Sequence, residues 1–265
     1  MSAGQSVRIG VAGARGRMGR AVAAAVEARA GLTLTALFDQ PGTEGDVVDG
    51  RTLVTRDQAL GLADIIIDFT VGPASVDLAR VCAARDGPAL VIGSTGFGHT
   101  DETLMMVAAK RIAILKSGNY SLGVNVLMGL VAKAAKALSA AAYDIEIFEA
   151  HHGRKIDAPS GTGLMLGEAA AEGRGVELKD VEVRARDGIA EHGRRPGQIG
   201  FSVMRAGGIV GEHSVLFAAE DEILTLSHSA RDRSLFARGA VEGAVWLIGK
   251  PPGLYDMQDV LGLKD

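Results

Sequence analysis

Residues 149–162 read EAHHGRKIDAPSGT, with two adjacent histidines, a lysine four residues after the first of them, and a Ser-Gly-Thr run at the end. A histidine can release a proton near neutrality, and a lysine can hold a carboxylate or stabilise developing charge. Ser160-Gly161-Thr162 opens an Ala-rich helical stretch, so its N–H groups and hydroxyls suit a carboxylate at the positive end of that helix. His151, His152 and Lys155 beside such a helix end describe an anion pocket that contains a proton donor. No metal site is expected, because adjacent histidines do not readily share one ion and no cysteine or carboxylate is placed to complete a shell. Ser160 is not expected to be a nucleophile, since nothing here resembles a G-x-S-x-G elbow.

A second set of residues points to a nucleotide. Gly13-Ala14-Arg15-Gly16-Arg17-Met18-Gly19 spaces its glycines by three and three, after an apolar run and before a helical one. The first glycine permits a tight turn, the second lets the backbone approach a pyrophosphate, and the third allows close packing at a helix N-terminus that attracts anionic oxygens. Asp39 ends the next apolar run, about 20 positions on, where an acidic residue accepts bonds from the adenosine ribose and repels a 2′-phosphate. Gln40 adds no positive charge. The expected cofactor is NADH, with NADPH still possible because Arg15 or Arg17 could contact a phosphate. Gly93-Ser94-Thr95-Gly96-Phe97 and Gly118-Asn119-Tyr120-Ser121 end the fourth and fifth apolar runs, where a nicotinamide would sit outside the carboxyl ends of strands.

These residues need a scaffold, and its grammar is visible. Apolar runs at 7–12, 32–38, 65–69, 89–92 and 112–115 alternate with helical stretches such as 18–30. This is the pattern of a Rossmann-like, doubly wound parallel sheet covered on both faces. Near Ser121 the pattern changes. A helix over 124–138 is followed by a period-two strand over 143–149, a helix over 163–172, and strands over 181–186, 199–205, 212–218 and 223–228, the last two forming an antiparallel hairpin. This second part reads as a mixed α+β domain whose open sheet pairs with copies of itself. The helix over 231–249 has no strand expected after it and should return to cover the first sheet. The expected domains are therefore 1–122 with 232–265 for the dinucleotide, and 123–231 for substrate and oligomerisation. Residues 187–197, with Arg194 and Arg195, read as a solvated loop.

Composition narrows the classes. The chain has 265 residues, 47% hydrophobic, and a net charge of −4 that argues against nucleic acid as the main partner. No apolar run is long enough for a membrane span and the first residues do not read as a signal peptide, so no membrane partner and a cytoplasmic location are expected. One cysteine, Cys82, suits a reducing compartment and is expected to be buried and inert. Two rival readings stand beside the main one: another nicotinamide-dependent reductase of a small dicarboxylate, or a nucleotide-sensing Rossmann protein without catalysis.

Taken together, the motifs resemble those of the dihydrodipicolinate reductase (4-hydroxy-tetrahydrodipicolinate reductase) family of the diaminopimelate route to lysine. The likeness runs through GARGRMGR at 13–20, DFT at 68–70, GSTGF at 93–97, NYSLGVN at 119–125, EAHHGRKIDAPSGT at 149–162, RAGGIVGEH at 205–213 and GLYDMQDVL at 253–261. It implies a homotetramer joined through the open sheet of the second domain, with His151 as general acid and Lys155 as the second catalytic residue. It implies that His152, Lys155, Ser160, Gly161 and Thr162 bind the substrate's two carboxylates. Gly13, Arg15, Gly16, Arg17, Met18, Asp39, Gly93, Thr95, Gly118 and Tyr120 fall in the cofactor-binding motifs. Family members often carry Phe where Tyr120 stands and a basic residue where Gln40 stands; the second departure weakens the expectation of NADPH use, and the first is without consequence for it. The implied reaction is hydride transfer to a cyclic unsaturated imine dicarboxylate and protonation of the resulting enamine, giving tetrahydrodipicolinate. Function is then expected to depend on bringing Tyr120 and Thr95 towards His151.

Overall fold

Apolar residues that alternate between two buried faces build the first sheet. Ile65 and Ile67 join one core cluster with Val22, Val26, Ala240 and Val241, whereas Ile66 joins another with Ala59, Leu78 and Met105. A strand buried on both faces needs such a continuous apolar run. The computed structural model describes residues 6–264, and the chain divides into two compact units, with unit boundaries after Ser121 and after Arg233. These lie one and two residues from the expected positions.

The first unit contains β1 (Val7–Ala12), α1 (Arg17–Glu27), β2 (Leu32–Phe38), the short hairpin β3 (Val47–Val48) and β4 (Arg51–Thr52), α2 (Arg56–Leu62), β5 (Ile65–Asp68), α3 (Gly72–Ala84), β6 (Ala89–Ile92), α4 (His99–Ala108) and β7 (Ala113–Lys116). The second contains α5 (Leu122–Ala137), β8 (Asp144–His151), α6 (Gly161–Arg174), α7 (Leu178–Val181), β9 (Glu182–Val183), β10 (Ile199–Arg205), β11 (Gly211–Ala218) and β12 (Ile223–Ala230). The chain then returns to the first unit with α8 (Ser234–Leu247), β13 (Gly253–Tyr255) and α9 (Met257–Leu261).

The first sheet has the order β13-β7-β6-β5-β1-β2, and every pairing in it is parallel. Its order reverses at β1, so the loops leaving β1 and β5 flank the crevice where such sheets take ligands. β13 corrects the expectation that no strand follows the closing helix. Three residues after Pro-Pro make too short a run to read as a strand alone, yet they pair with β7 at the sheet edge.

The second sheet has the order β12-β11-β8-β10-β9, with β8 parallel to β10 and antiparallel to β11. Residues from α5 and α6 cover one face through Leu127, Val131, Leu166 and Ala170, packed on Ile145, Ile147, Phe201 and Val215. The strand expected over 181–186 is a second correction. Only Glu182 and Val183 pair with β10, while Val181 ends α7 and the exposed Arg184 and Arg186 form ion pairs with Glu182 and Glu146. On the face away from α5 and α6 the sheet keeps Met204 and Ile223 in solvent.

Candidate functional site

On β8 the row Ile145, Ile147, Glu149 and His151 is buried on one face, so the last two continue the core row with polar side chains, while Ala150 is buried on the other face. Glu149 is fully buried, and its carboxylate is saturated. Arg205 clamps it from β10 with Nη2 donating to Oε1 at 2.7 Å and Nη1 to Oε2 at 2.9 Å; the backbone N–H of Ser160 donates to Oε1 at 2.9 Å. His151 Nδ1 lies 2.5 Å from Oε2. Burial pushes the Glu149 carboxyl up, but the bonds from Arg205, Ser160 and His151 outweigh it and hold the group below the usual carboxylate range.

β11 contributes His213, paired across the ladder with Glu149. Its ring meets that of His151 edge-on at 5.1 Å between centroids, and its Nε2 lies 3.4 Å from Ser160 Oγ. Burial, followed by the positive charge that His151 can carry, pushes the His213 imidazole down to about 4. A Cβ at Gly211 would come within 3.3 Å of His151 Nε2, so the glycine leaves the ring its room. Ser160 caps α6, its Oγ accepting from Gly163 N at 3.0 Å, and Gly161 and Thr162 form the accessible first turn. Lys155 Nζ pairs with Asp157 at 2.8 Å, and the Asp157 carbonyl accepts from Arg205 at 2.6 Å. His152 Nε2 lies 2.8 Å from an Arg233 Nη. Partial desolvation and the charges of Arg154 and Arg233 hold the His152 imidazole below its ordinary value, so His152 meets Arg233 as a neutral acceptor. The unit therefore gathers His151, His152, Lys155, Ser160, Gly161 and Thr162 at the carboxyl end of β8. The sequence reading missed Arg205 and His213, which only strand register brings to the site.

The donor atoms of Glu149, His151 and His213 lie within 4.8 Å of one another, close enough to share an ion. This corrects the expectation that no carboxylate is placed to complete a shell. The chemistry of the set still opposes a resident metal, because Arg205 holds both Glu149 oxygens and puts a fixed cation where the ion would bind.

In the first unit Gly13 takes φ +76°, and a Cβ at Gly19 would stand 2.1 Å from the Gly13 carbonyl oxygen. The turn and its helix can approach only as glycines. Asp39 is held by the N–H groups of Arg15 and Gln40 at 2.8 and 2.9 Å. A cleft of about 1090 Å³ opens beside Gly13, Arg15, Gly16, Asp39, Gln40 and Thr70, so these residues fit a dinucleotide. Arg17 and Met18 begin α1, and Thr95 and Gly118 are exposed in the loops after β6 and β7. Below those loops Asp68 is fully buried. One of its oxygens accepts from Thr70 N at 2.8 Å and Thr70 Oγ at 2.6 Å. A Cβ at Gly93 would meet the Phe69 ring at 2.2 Å.

Tyr120 departs from expectation. Its side chain is 1% exposed, and its hydroxyl reaches the carbonyls of Ile92 and Leu115 at 2.9 and 3.1 Å. An aromatic ring at that depth is core, and its side chain is not presented to a ligand.

Family models match almost the whole chain: dihydrodipicolinate reductase, N-terminus, over residues 7–120, and dihydrodipicolinate reductase, C-terminus, over residues 123–261. A 4-hydroxy-tetrahydrodipicolinate reductase of Caulobacter vibrioides is 62% identical over 98% of this chain and 99% of its own length. One from Rhizobium rhizogenes is 50% identical over 97% of both. A dihydrodipicolinate reductase from Paenisporosarcina sp. TG-14, solved with dipicolinate bound, shares the fold with a TM-score of 0.75 at 22% identity, over 96% of this chain and 99% of its own. With both halves matched and such identity along its length, the chain belongs to the dihydrodipicolinate reductase family.

Proposed function

We propose that this protein reduces the cyclic unsaturated imine dicarboxylate derived from 4-hydroxy-tetrahydrodipicolinate to tetrahydrodipicolinate, in lysine biosynthesis by the diaminopimelate route. The observation that carries this reading is the tie of His151 to the Ser160 cap of α6 through the Glu149 carboxylate, a proton donor held at an anion-binding helix terminus, with Lys155 supplying a cation in the loop between them. A reduced nicotinamide dinucleotide, when bound, supplies the hydride. Gly13, Arg15, Gly16, Arg17, Met18, Asp39, Gly93, Thr95 and Gly118 would hold it in the first unit, with Tyr120 supporting the loop from within the core.

Gly161 and Thr162 offer N–H groups to one substrate carboxylate, and Lys155 and His152 face the other. Once carbon has taken the hydride, electron density reaches the enamine. His151 then gives its Nε2 proton to the ring carbon. Lys155 offsets the developing charge, which Asp157 leaves available through an exposed, exchangeable ion pair. Such differential stabilisation lowers the barrier without a metal being invoked.

His151→Ala should lower kcat by about 10²–10³-fold with folding retained, as expected on losing a general acid. Lys155→Ala should lower kcat and raise KM for the dicarboxylate. Steady-state kinetics on both variants, with circular dichroism as the folding control, decide this; near-normal turnover in either overturns the role given to that residue.

NADH is the preferred cofactor, because Asp39 turns a carboxylate towards the ribose and Gln40 brings no charge to a 2′-phosphate. The comparison of kcat/KM for the two cofactors should favour NADH, and a clear preference for NADPH would contradict this. The protein assembles as a homotetramer through the uncovered face of its second sheet and works in the cytoplasm, where a lone buried thiol such as Cys82 stays reduced.

A further inference from the structure

The most buried charge of the site takes no part in the proton and hydride steps. Glu149 is 0% exposed, lies two residues before the proton donor on the same strand, and bonds to that donor, to the Ser160 cap of α6 and to Arg205 of β10. We infer that Glu149 is a positioning residue for His151, fixing its ring in the Nδ1–H form so that Nε2 alone exchanges a proton with substrate. The inference rests on the reading of His151 as the general acid.

An ionised carboxylate only accepts hydrogen bonds, so a ring nitrogen 2.5 Å from Glu149 Oε2 must carry the hydrogen. That choice leaves Nε2 as the exchanging atom, on the side of the ring that Gly211 keeps open. Arg205 holds both carboxylate oxygens, which prevents Glu149 from rotating away and compensates its charge in the core. The same carboxylate accepts the Ser160 N–H at the cap of α6. One side chain therefore sets the proton donor and the anion-binding helix end in a fixed relation. His213 supports the ring edge-on, and its neutrality leaves Glu149 as the nearest charge on that side. A carboxylate that only packed the core would have no reason to touch both.

Glu149→Gln separates these duties. The amide oxygen can still accept from Ser160 and one Arg205 nitrogen at the Oε1 position, while the NH2 group then faces His151 Nδ1. A donor there requires Nδ1 to become an acceptor and moves the hydrogen to Nε2. Nitrogen-15 NMR of histidine-labelled protein reads the tautomer directly. In the wild type, His151 should be protonated at Nδ1 when the ring is neutral; in Glu149→Gln it should be protonated at Nε2. The kcat of the variant should fall on the order of 10²-fold, and KM for the dicarboxylate should stay within about 3-fold because Ser160 keeps its acceptor. The wild-type spectrum is itself decisive if the variant does not fold, since a neutral ring protonated at Nε2 overturns the inference. An unchanged tautomer in Glu149→Gln, or a switched tautomer with near-normal kcat, also overturns it. The tautomer is read without turnover, so a failed acid assignment, seen as near-normal kcat in His151→Ala, is distinguishable from failure of the positioning role.

Discussion

Two histidines of opposite character share one wall of the second unit. His151 has a carboxylate on Nδ1, whereas His213 is buried against it and held down to about 4. When unfolded, His213 takes up its proton near the ordinary histidine value of 6.5. Between these values the unfolded chain binds more protons, so stability is complete above about pH 6.5 and is lost as pH falls towards 4. The loss is on the order of 2–3 kcal/mol. Below the ordinary carboxylate range, protonation of Glu149 adds a loss of the same sign. Urea denaturation of the wild type and His213→Gln at pH 7 and pH 5 should show a smaller pH dependence in the variant, and equal slopes would contradict this. At this scale the contiguous residues were legible: His151, Lys155 and Ser160 are neighbours in the chain, and their types state their chemistry. Arg205 and His213 were not, because they meet Glu149 and His151 only through the register of β10 and β11 on β8.

Among the elements, strands buried on both faces declared themselves through runs such as Ile65-Ile66-Ile67, and the glycine turn before α1 through its spacing. What escaped was short or supported by a neighbour. β13 is three residues long and exists because β7 offers an edge, while the expected strand over 181–186 yields to α7 and to two exposed arginines. The loop after β7 shows how a motif can mislead about a side chain. Tyr120 lies in a cofactor motif, yet its ring packs edge-on against Phe69 at 5.7 Å and its hydroxyl meets backbone carbonyls. Tyr120→Phe should therefore cost about 1 kcal/mol of stability, the worth of a buried hydrogen bond, and leave KM for the cofactor unchanged. The Ile92 carbonyl keeps the Ser117 N–H at 3.1 Å, which limits the loss. Thermal unfolding and cofactor titration check this; a several-fold rise in KM without loss of stability would return Tyr120 to the binding surface. Arg194 offers a parallel case: its guanidinium is tied to Asp144, Glu146 and three carbonyls, so it anchors the loop over 187–197.

For the molecule as a whole, the chain divides into two compact units after Ser121, and β/α alternation gives way to a mixed sheet there. The second sheet leaves Met204 and Ile223 in solvent on its uncovered face and ends on β12, a sheet edge. Association through this surface should give the mass of four chains in sedimentation equilibrium, and Met204→Lys with Ile223→Lys should give a smaller species. A monomeric wild type would contradict the assembly. Function itself was legible because the chemistry lies in one uninterrupted motif, whereas cofactor preference rests on the single pair Asp39 and Gln40. The most direct measurement of the central claim follows NADH absorbance with freshly generated 4-hydroxy-tetrahydrodipicolinate. The wild type should oxidise one NADH per tetrahydrodipicolinate formed, and His151→Ala should do so at least about 10²-fold more slowly. No oxidation by folded wild type, or equal rates for the two proteins, would contradict the account.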